Sequence, residues 1–331
     1  MANVLVCGGA GYIGSHTVRF LLETTVHRPV VLDNLSMGHI ASVPHGTPVI
    51  EGDLGDARLL AKVLREYHID AVMHFAAHLA VGESVADPLK YYLNNVAATT
   101  HLLDAMRRTG VRYFVFSSSA AVYGEPPVVP IPEDSPLRPI NPYGFTKLFV
   151  EQILADCAVA YGISATCLRY FNAAGAHPSG DIGEDHTPES HLIPLILSVA
   201  LGRRPEITLF GDDYPTRDGS CVRDYVHTVD LASAHVLALD KMLQGAPGRA
   251  YNLGNGKGTT VFEVVESCRK ATGHPIPTRI AARRPGDPPA LVADSSRAME
   301  ELGWIPRFSG IDDIVNTAWN WHSRHPGGYG S

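Results

Sequence analysis

Apolar residues come in short runs through the first half of the chain, separated by longer stretches in which they recur every three or four positions. The runs 3–7, 28–33, 48–51, 69–75, 111–116 and 163–169 have the length and β-branched content of buried strands. Segments near 12–24, 56–67, 86–109 and 142–161 carry helical periodicity between most of them. Such alternation predicts an α/β, doubly wound parallel sheet of the Rossmann type. After about Tyr170 the pattern shortens. Glycine- and proline-rich loops at 172–191, 211–221 and 284–289 separate helices near 191–202, 229–243, 260–272 and 310–323 and short strands near 206–210 and 249–253. We therefore expect a dinucleotide-binding domain over 1–170. Residues 171–331 should form mainly a smaller α/β substrate lobe, with some segments returning to the first domain. The site should lie in the cleft between them.

Ligands in such sheets bind beyond the carboxyl ends of the strands. Polar or glycine-rich turns stand at those ends: Gly8 to Gly14, Asp33 and Asn34, Asp53 and Leu54, Phe75 to Ala77, Ser117 to Ser119, and Asn172. Gly8, Gly11 and Gly14 are spaced three apart. They remove side chains where the chain must turn, where a pyrophosphate must approach the amides, and where helix packs on strand. Asp33 follows Gly14 by 19 residues, close to the spacing at which an acid meets an adenosine ribose. Farther on, Tyr143 and Lys147 stand four apart on one face of a helix that opens with Pro142. An ammonium beside a phenol would favour the phenolate and make Tyr143 a general base. Ser119, at a strand end, would hydrogen-bond the oxygen that Tyr143 deprotonates, while Ser117 and Ser118 would cap the strand. A serine-hydrolase reading fails for want of a G-x-S-x-G turn.

Net charge is -7, which argues against a broad nucleic-acid face and leaves an anionic ligand to a few placed arginines. No apolar run reaches the ~18 residues of a membrane span. The start shows no basic stretch or cleavage pattern, so a cytoplasmic location is expected. The five cysteines, 7, 157, 167, 221 and 268, include no C-x-x-C pair and suit reduced, buried positions. His74 and His78 are four apart but straddle a strand end with no glutamate between them. His177, His186 and His191 fall in a loop, and we expect them to be polar loop residues and the protein to hold no metal.

These runs resemble the extended short-chain dehydrogenase/reductase family, whose glycine turn has the same G-x-x-G-x-x-G spacing, and within it the UDP-hexose 4-epimerases. The matching segments are Gly8–His16, Leu32–Asn34, Gly82–Ser84, Ser117–Gly124, Tyr143–Lys147, Leu168–Asn172, Gly175–Gly180, Gly211–Thr216, Val222–His227, Tyr251–Gly254, Arg283–Asp287 and Trp321–Pro326. They extend over nearly the whole chain. The resemblance implies inversion at C4 of a UDP-hexose by transient hydride transfer to tightly bound NAD, with Ser119, Tyr143 and Lys147 catalytic. It implies that NAD is held by the glycine turn, Tyr12, Ile13, Asp33, Asn34, Asp53, Leu54, Phe75, Ala76, Asn94, Lys147 and Phe171. For the UDP-sugar it implies Ser119, Tyr143, Asn172, His191, Leu192, Phe210, Arg223, Arg284, Asp287 and Leu291, and for the assembly a homodimer. Arginines suit this assignment, because a diphosphate on a net-acidic protein needs local forked donors.

Three positions depart from the usual family pattern. Leu79 stands where many members have a lysine near the cofactor ribose, and Ala121 replaces a frequent threonine beside the serine. Leu291, on the sugar-pocket wall, would open room for N-acetyl sugars. Dehydratases of the family carry an Asp-Glu pair next to the serine; here that place is Ala120-Ala121. A catalytically silent NAD-binding regulator would not require the intact Ser119, Tyr143 and Lys147.

Overall fold

The computed structural model describes residues 1–284 and 287–330; Pro285 and Gly286 of the Arg283–Asp287 run lie outside the described residues. The first half alternates β1 (Asn3–Cys7), α1 (Tyr12–Thr24), β2 (Arg28–Asp33), β3 (Val49–Glu51), α2 (Ala57–Glu66) and β4 (Ala71–His74). It continues through α3 (Val81–Ala86), α4 (Pro88–Tyr91), α5 (Ala98–Thr109), β5 (Tyr113–Ser119), α6 (Pro142–Tyr161) and β6 (Ser164–Tyr170). The second half adds β7 (Asn172–Ala174), α7 (Leu192–Ala200), β8 (Ile207–Phe210), β9 (Val222–Arg223), β10 (Tyr225–His227), α8 (Thr228–Leu243) and β11 (Ala250–Leu253). It ends with β12 (Thr259–Thr260), α9 (Val261–Thr272), β13 (Thr278–Ala281), β14 (Ala290–Leu291) and α10 (Ile311–Arg324).

Seven parallel strands form the main sheet in the order β11-β6-β5-β4-β1-β2-β3. The strand order reverses at β1, so a crevice opens at its carboxyl end, where the glycine turn begins. Alternate residues of β1 serve the two faces of the sheet. Leu5 and Cys7 join a core with Leu60, Leu102, Met106, Val150 and Leu154 of α2, α5 and α6. Val4 and Val6 join another with Val18, Leu21, Leu231, Leu239 and Trp304 from α1, α8 and the chain beyond. A separate core of Ile193, Leu197, Leu209, Val264, Val265, Ile314 and Val315 holds α7, α9 and α10 together. Burial of this continuous apolar surface on both faces, at about 25 cal/mol per Å², is the main stabilising term of the sheet.

One difference from the sequence reading matters for the site. The helix expected over 86–109 is instead α3, α4, a π-helical segment Tyr92–Ala97, and α5. Pro88 forces the first break, because it lacks an amide proton and holds Asp87 out of the helical region (φ -135°, ψ 74°). Within the wide turn, buried Asn95 uses its amide to accept from His78 N at 2.8 Å and to donate to His78 O at 3.0 Å. Among the later segments, β11 returns to the first sheet and pairs with β6, Ala250 opposite Cys167 through Leu253 opposite Tyr170.

Candidate active site

A cleft of about 1070 Å³ runs over the carboxyl ends of the strands. That is at the upper end of the roughly 300–1,000 Å³ of small-molecule sites. One wall is main chain. Gly8 adopts φ +76°, and a Cβ there would come within 2.6 Å of Ala76 N. A Cβ on Gly14 would lie 2.0 Å from Gly8 O, so α1 meets the turn with no room for a side chain. Gly11 caps α1 without any side-chain acceptor, leaving first-turn amides open toward an anion. Buried Asp33 accepts from Ala10 N and Leu35 N, both at 2.9 Å, so it stiffens the turn while keeping lone pairs for a ribose hydroxyl. A cradle of this shape, which any Cβ would fill, fits a dinucleotide. Tyr12, Ile13, Asn34, Asp53, Leu54, Phe75, Ala76, Asn94 and Phe171 line the same cleft. Asn34 and Asp53 are joined at 2.8 Å, and Asn94 is steadied by Asn95 at 2.8 Å.

Ser119, Tyr143 and Lys147 line the cleft next to one another. Asn141 caps α6 by accepting from Gly144 N at 2.9 Å, and Pro142 occupies its first turn. Gly144 lets the helix approach the end of β5, since a Cβ there would meet Ala121 O at 2.6 Å. Tyr143 N donates to Ser84 Oγ at 3.2 Å, which ties α6 to α3. Burial pushes the Tyr143 phenol up, and a hydrogen bond with the Ser119 hydroxyl pulls it down.

The expected lowering by Lys147 is not seen in this arrangement. Its ammonium donates to Ser117 O at 2.8 Å and lies 5.0 Å from the Phe116 ring centre and 5.8 Å from that of Tyr143. Burial lowers Lys147 itself to about 8, with Glu151 opposing the shift. Ser117 and Ser118 do more than cap β5: Ser117 bonds the Tyr170 hydroxyl, and Ser118 donates to Glu151 at 2.5 Å.

The opposite wall is made of side chains. Arg223 donates to Asp287 at 2.5 Å and to the carbonyls of Val222 and Pro288 at 2.8 and 3.0 Å. Arg284 lies over the Phe210 ring at 4.0 Å. Asn172, His191, Arg223, Arg284, Asp287 and Leu291 all face the cleft. Leu192 and Phe210 do not: Leu192 packs on the lobe core, and Phe210 reaches the site only through Arg284. Leu79 and Ala121 both line the cleft. His74 and His78 do not face a common ligand. His74 is buried against Thr99 at 2.9 Å and driven by burial to about 3, hence neutral, while His78 lines the cleft. Sequence patterning does not mark Asn95, and Tyr170 is signalled only by the Leu168–Asn172 run. The role of Ser84 was signalled only by the Gly82–Ser84 run.

Residues 4–254 match the NAD dependent epimerase/dehydratase family. The chain is 54% identical to a UDP-glucose 4-epimerase of Halalkalibacterium halodurans, over 98% of this chain and 97% of that one. It is similar to the crystal structure of UDP-glucose 4-epimerase from Brucella ovis in complex with NAD, with TM-score 0.94, 49% identity, and 97% and 98% of the two chains covered. The structure of the Bifidobacterium longum UDP-glucose 4-epimerase in complex with NAD+ and UDP aligns with TM-score 0.93 and 44% identity over 98% and 99% of the two chains. Sheet topology, glycine cradle and full-length likeness agree, and the chain belongs to the NAD-dependent epimerase/dehydratase family.

Proposed function

We propose that the protein interconverts UDP-galactose and UDP-glucose with NAD bound through turnover, acting as a UDP-hexose 4-epimerase. The observation that carries this is the convergence of Ser119, Tyr143 and Lys147 between a dinucleotide cradle and an arginine-bearing wall. The cradle at Gly8–Gly14 holds the cofactor pyrophosphate, Asp33 its adenosine ribose, and Lys147 the nicotinamide ribose. NAD supplies the acceptor and donor of a hydride. Tyr143, whose phenolate the Ser119 hydrogen bond favours against the cost of burial, takes the proton of the sugar 4-hydroxyl, and Ser119 hydrogen-bonds the same oxygen as it becomes a ketone. Arg223 and Arg284 keep the diphosphate while the hexose turns its other face, after which Tyr143 returns the proton. Inversion requires that the UDP be clamped and the hexose be free to turn.

Ala120 and Ala121 supply no acid-base pair for loss of water, which favours epimerisation over dehydration. Residues 1–170 would carry the cofactor and most of 171–331 the substrate. A homodimer is supported by apolar side chains left exposed on adjoining elements, Leu89, Leu93, Phe145 and Phe149. No helix among the described residues is long and apolar enough to cross a membrane, in keeping with a cytoplasmic enzyme.

Incubation of the purified protein with UDP-galactose and no added reductant should yield UDP-glucose, followed by proton NMR of the anomeric signals. Tyr143→Phe should lower the rate by about 10²–10⁴-fold, the usual worth of a general base. A wild-type protein that leaves UDP-galactose unchanged would sink the reading.

A further inference from the structure

The loop between β7 and α7 places four ligand-type side chains within eight residues: Glu184, His186, Glu189 and His191. One donor atom from each lies within 4.8 Å of all the others. His186 Nδ1 stands 3.2 Å from Glu184 Oε1 and 4.0 Å from Glu189 Oε2. His191 Nδ1 hydrogen-bonds the same Glu184 oxygen and is 3.5 Å from Glu189 Oε1. Both imidazoles thus point the same ring atom at two carboxylates. Four donors held tetrahedrally at ~2.0–2.1 Å from one ion would be roughly 3.3–3.4 Å from each other. The His186 contacts with both carboxylates and the His191 contact with Glu189 bracket that value, while His191 and Glu184, hydrogen-bonded here, would move apart to admit the ion.

A second observation points the same way. The Glu184 and His186 side chains are only 4% and 10% exposed, and His186 Nδ1 has no hydrogen-bond partner although a carboxylate oxygen is so near. The approach is close but poorly directed for a hydrogen bond, as between two ligands of one centre. No lysine or arginine among the described residues forms an ion pair with Glu184 or Glu189. One divalent ion would balance both carboxylates with the two imidazoles neutral, which removes the cost of buried like charges.

We propose that Glu184, His186, Glu189 and His191 bind one divalent transition-metal ion, for which a compact set of two imidazoles and two carboxylates favours Zn2+. This revises the expectation of no metal. It also separates His177, which faces Glu23 at 3.5 Å, from the other two loop histidines. The ion is structural and does not depend on the epimerase reading. The loop it closes is fixed on one side by Trp321, whose Nε1 donates to Glu184 O at 3.1 Å, and on the other by α7, of which His191 is the cap. The His186 ring stands edge-on to Tyr12 at 6.0 Å, so the ion sits where the cofactor turn meets the substrate wall. With Nδ1 on the metal, His191 keeps one N–H, on Nε2, and becomes a positioned donor on the cleft wall. Its partial exposure gives the ion a way in.

The test uses untagged protein purified without chelator and gel-filtered, with metal counted by plasma mass spectrometry. About one Zn2+ per chain is expected in wild type and under a tenth of that in His186→Ala. Protein stripped with a chelator and loaded with Co2+ should show the visible absorption of tetrahedral cobalt, and its melting temperature should rise on adding Zn2+. Equal metal in wild type and His186→Ala overturns the proposal. Should that variant fail to fold, the stripped wild type decides alone: neither cobalt absorption nor thermal stabilisation means no site. Sugar turnover enters none of these readouts, so failure of the epimerase reading would leave them unchanged.

Discussion

The two walls of the cleft are made of different material. On the cofactor side the shape comes from main chain: Gly8, Gly11 and Gly14 create the space, and even Asp33 spends two of its acceptor positions on backbone amides. On the facing side the shape comes from long side chains that brace one another, Arg223 on Asp287 and Arg284 on Phe210. A main-chain site tolerates no added atom. A side-chain site can lose one member and keep the rest, so the two walls should fail in different ways.

The largest effect is expected at Gly14→Ala. The new methyl would fall 2.0 Å from Gly8 O, and neither atom can move without shifting β1 or α1. Overpacking of this kind costs on the order of 3 kcal/mol. Released nucleotide measured after acid extraction should fall to near zero, with activity down by ~100-fold or more. Retained NAD would show that the cradle is softer than its geometry.

Arg223→Ala should leave NAD content unchanged and raise the KM for UDP-galactose by roughly 30-fold, because it removes a cation and leaves Asp287 unpaired before the diphosphate. Loss of NAD in this variant would break the comparison by showing that the walls act as one.

A third test, read on stability and not on binding, concerns Lys147, at the joint between them. Burial has lowered its pKa to about 8. A free lysine titrates near ~10.4, so between those values the unfolded chain binds more protons than the folded one. Stability of NAD-free wild type, relative to Lys147→Met, should therefore be flat below about pH 8 and rise toward about pH 10. Urea midpoints across that range measure it, and a fall over the same window would contradict the burial of a charged amine.

This contrast also explains what was legible in the sequence. Backbone constraints leave glycines at fixed spacing, so β1, the turn, α1 and Asp33 could be placed from residue order alone. The Tyr143–Lys147 pair was legible because a helix fixes side chains four apart on one face. What Lys147 bonds to was not, since Ser117 O belongs to a strand 30 residues earlier. Nor could spacing show that Glu184 and Glu189 turn toward His186 and His191, because a loop has no period from which direction can be read. The break at Pro88 was visible as a proline, but the wide turn behind it depends on Asn95 reaching His78 across the fold.

The position of β11 bears on how this molecule can be taken apart. A fragment ending at residue 170 would leave β6 as an open edge, its main-chain groups ready to pair with another copy, and would strip α8 from one face of the sheet. Such a fragment is an aggregation hazard and not a portable cofactor module. The stretch matched by the family, 4–254, ends one residue beyond β11, the last strand to join the sheet. A minimal unit for transplantation would have to extend at least that far.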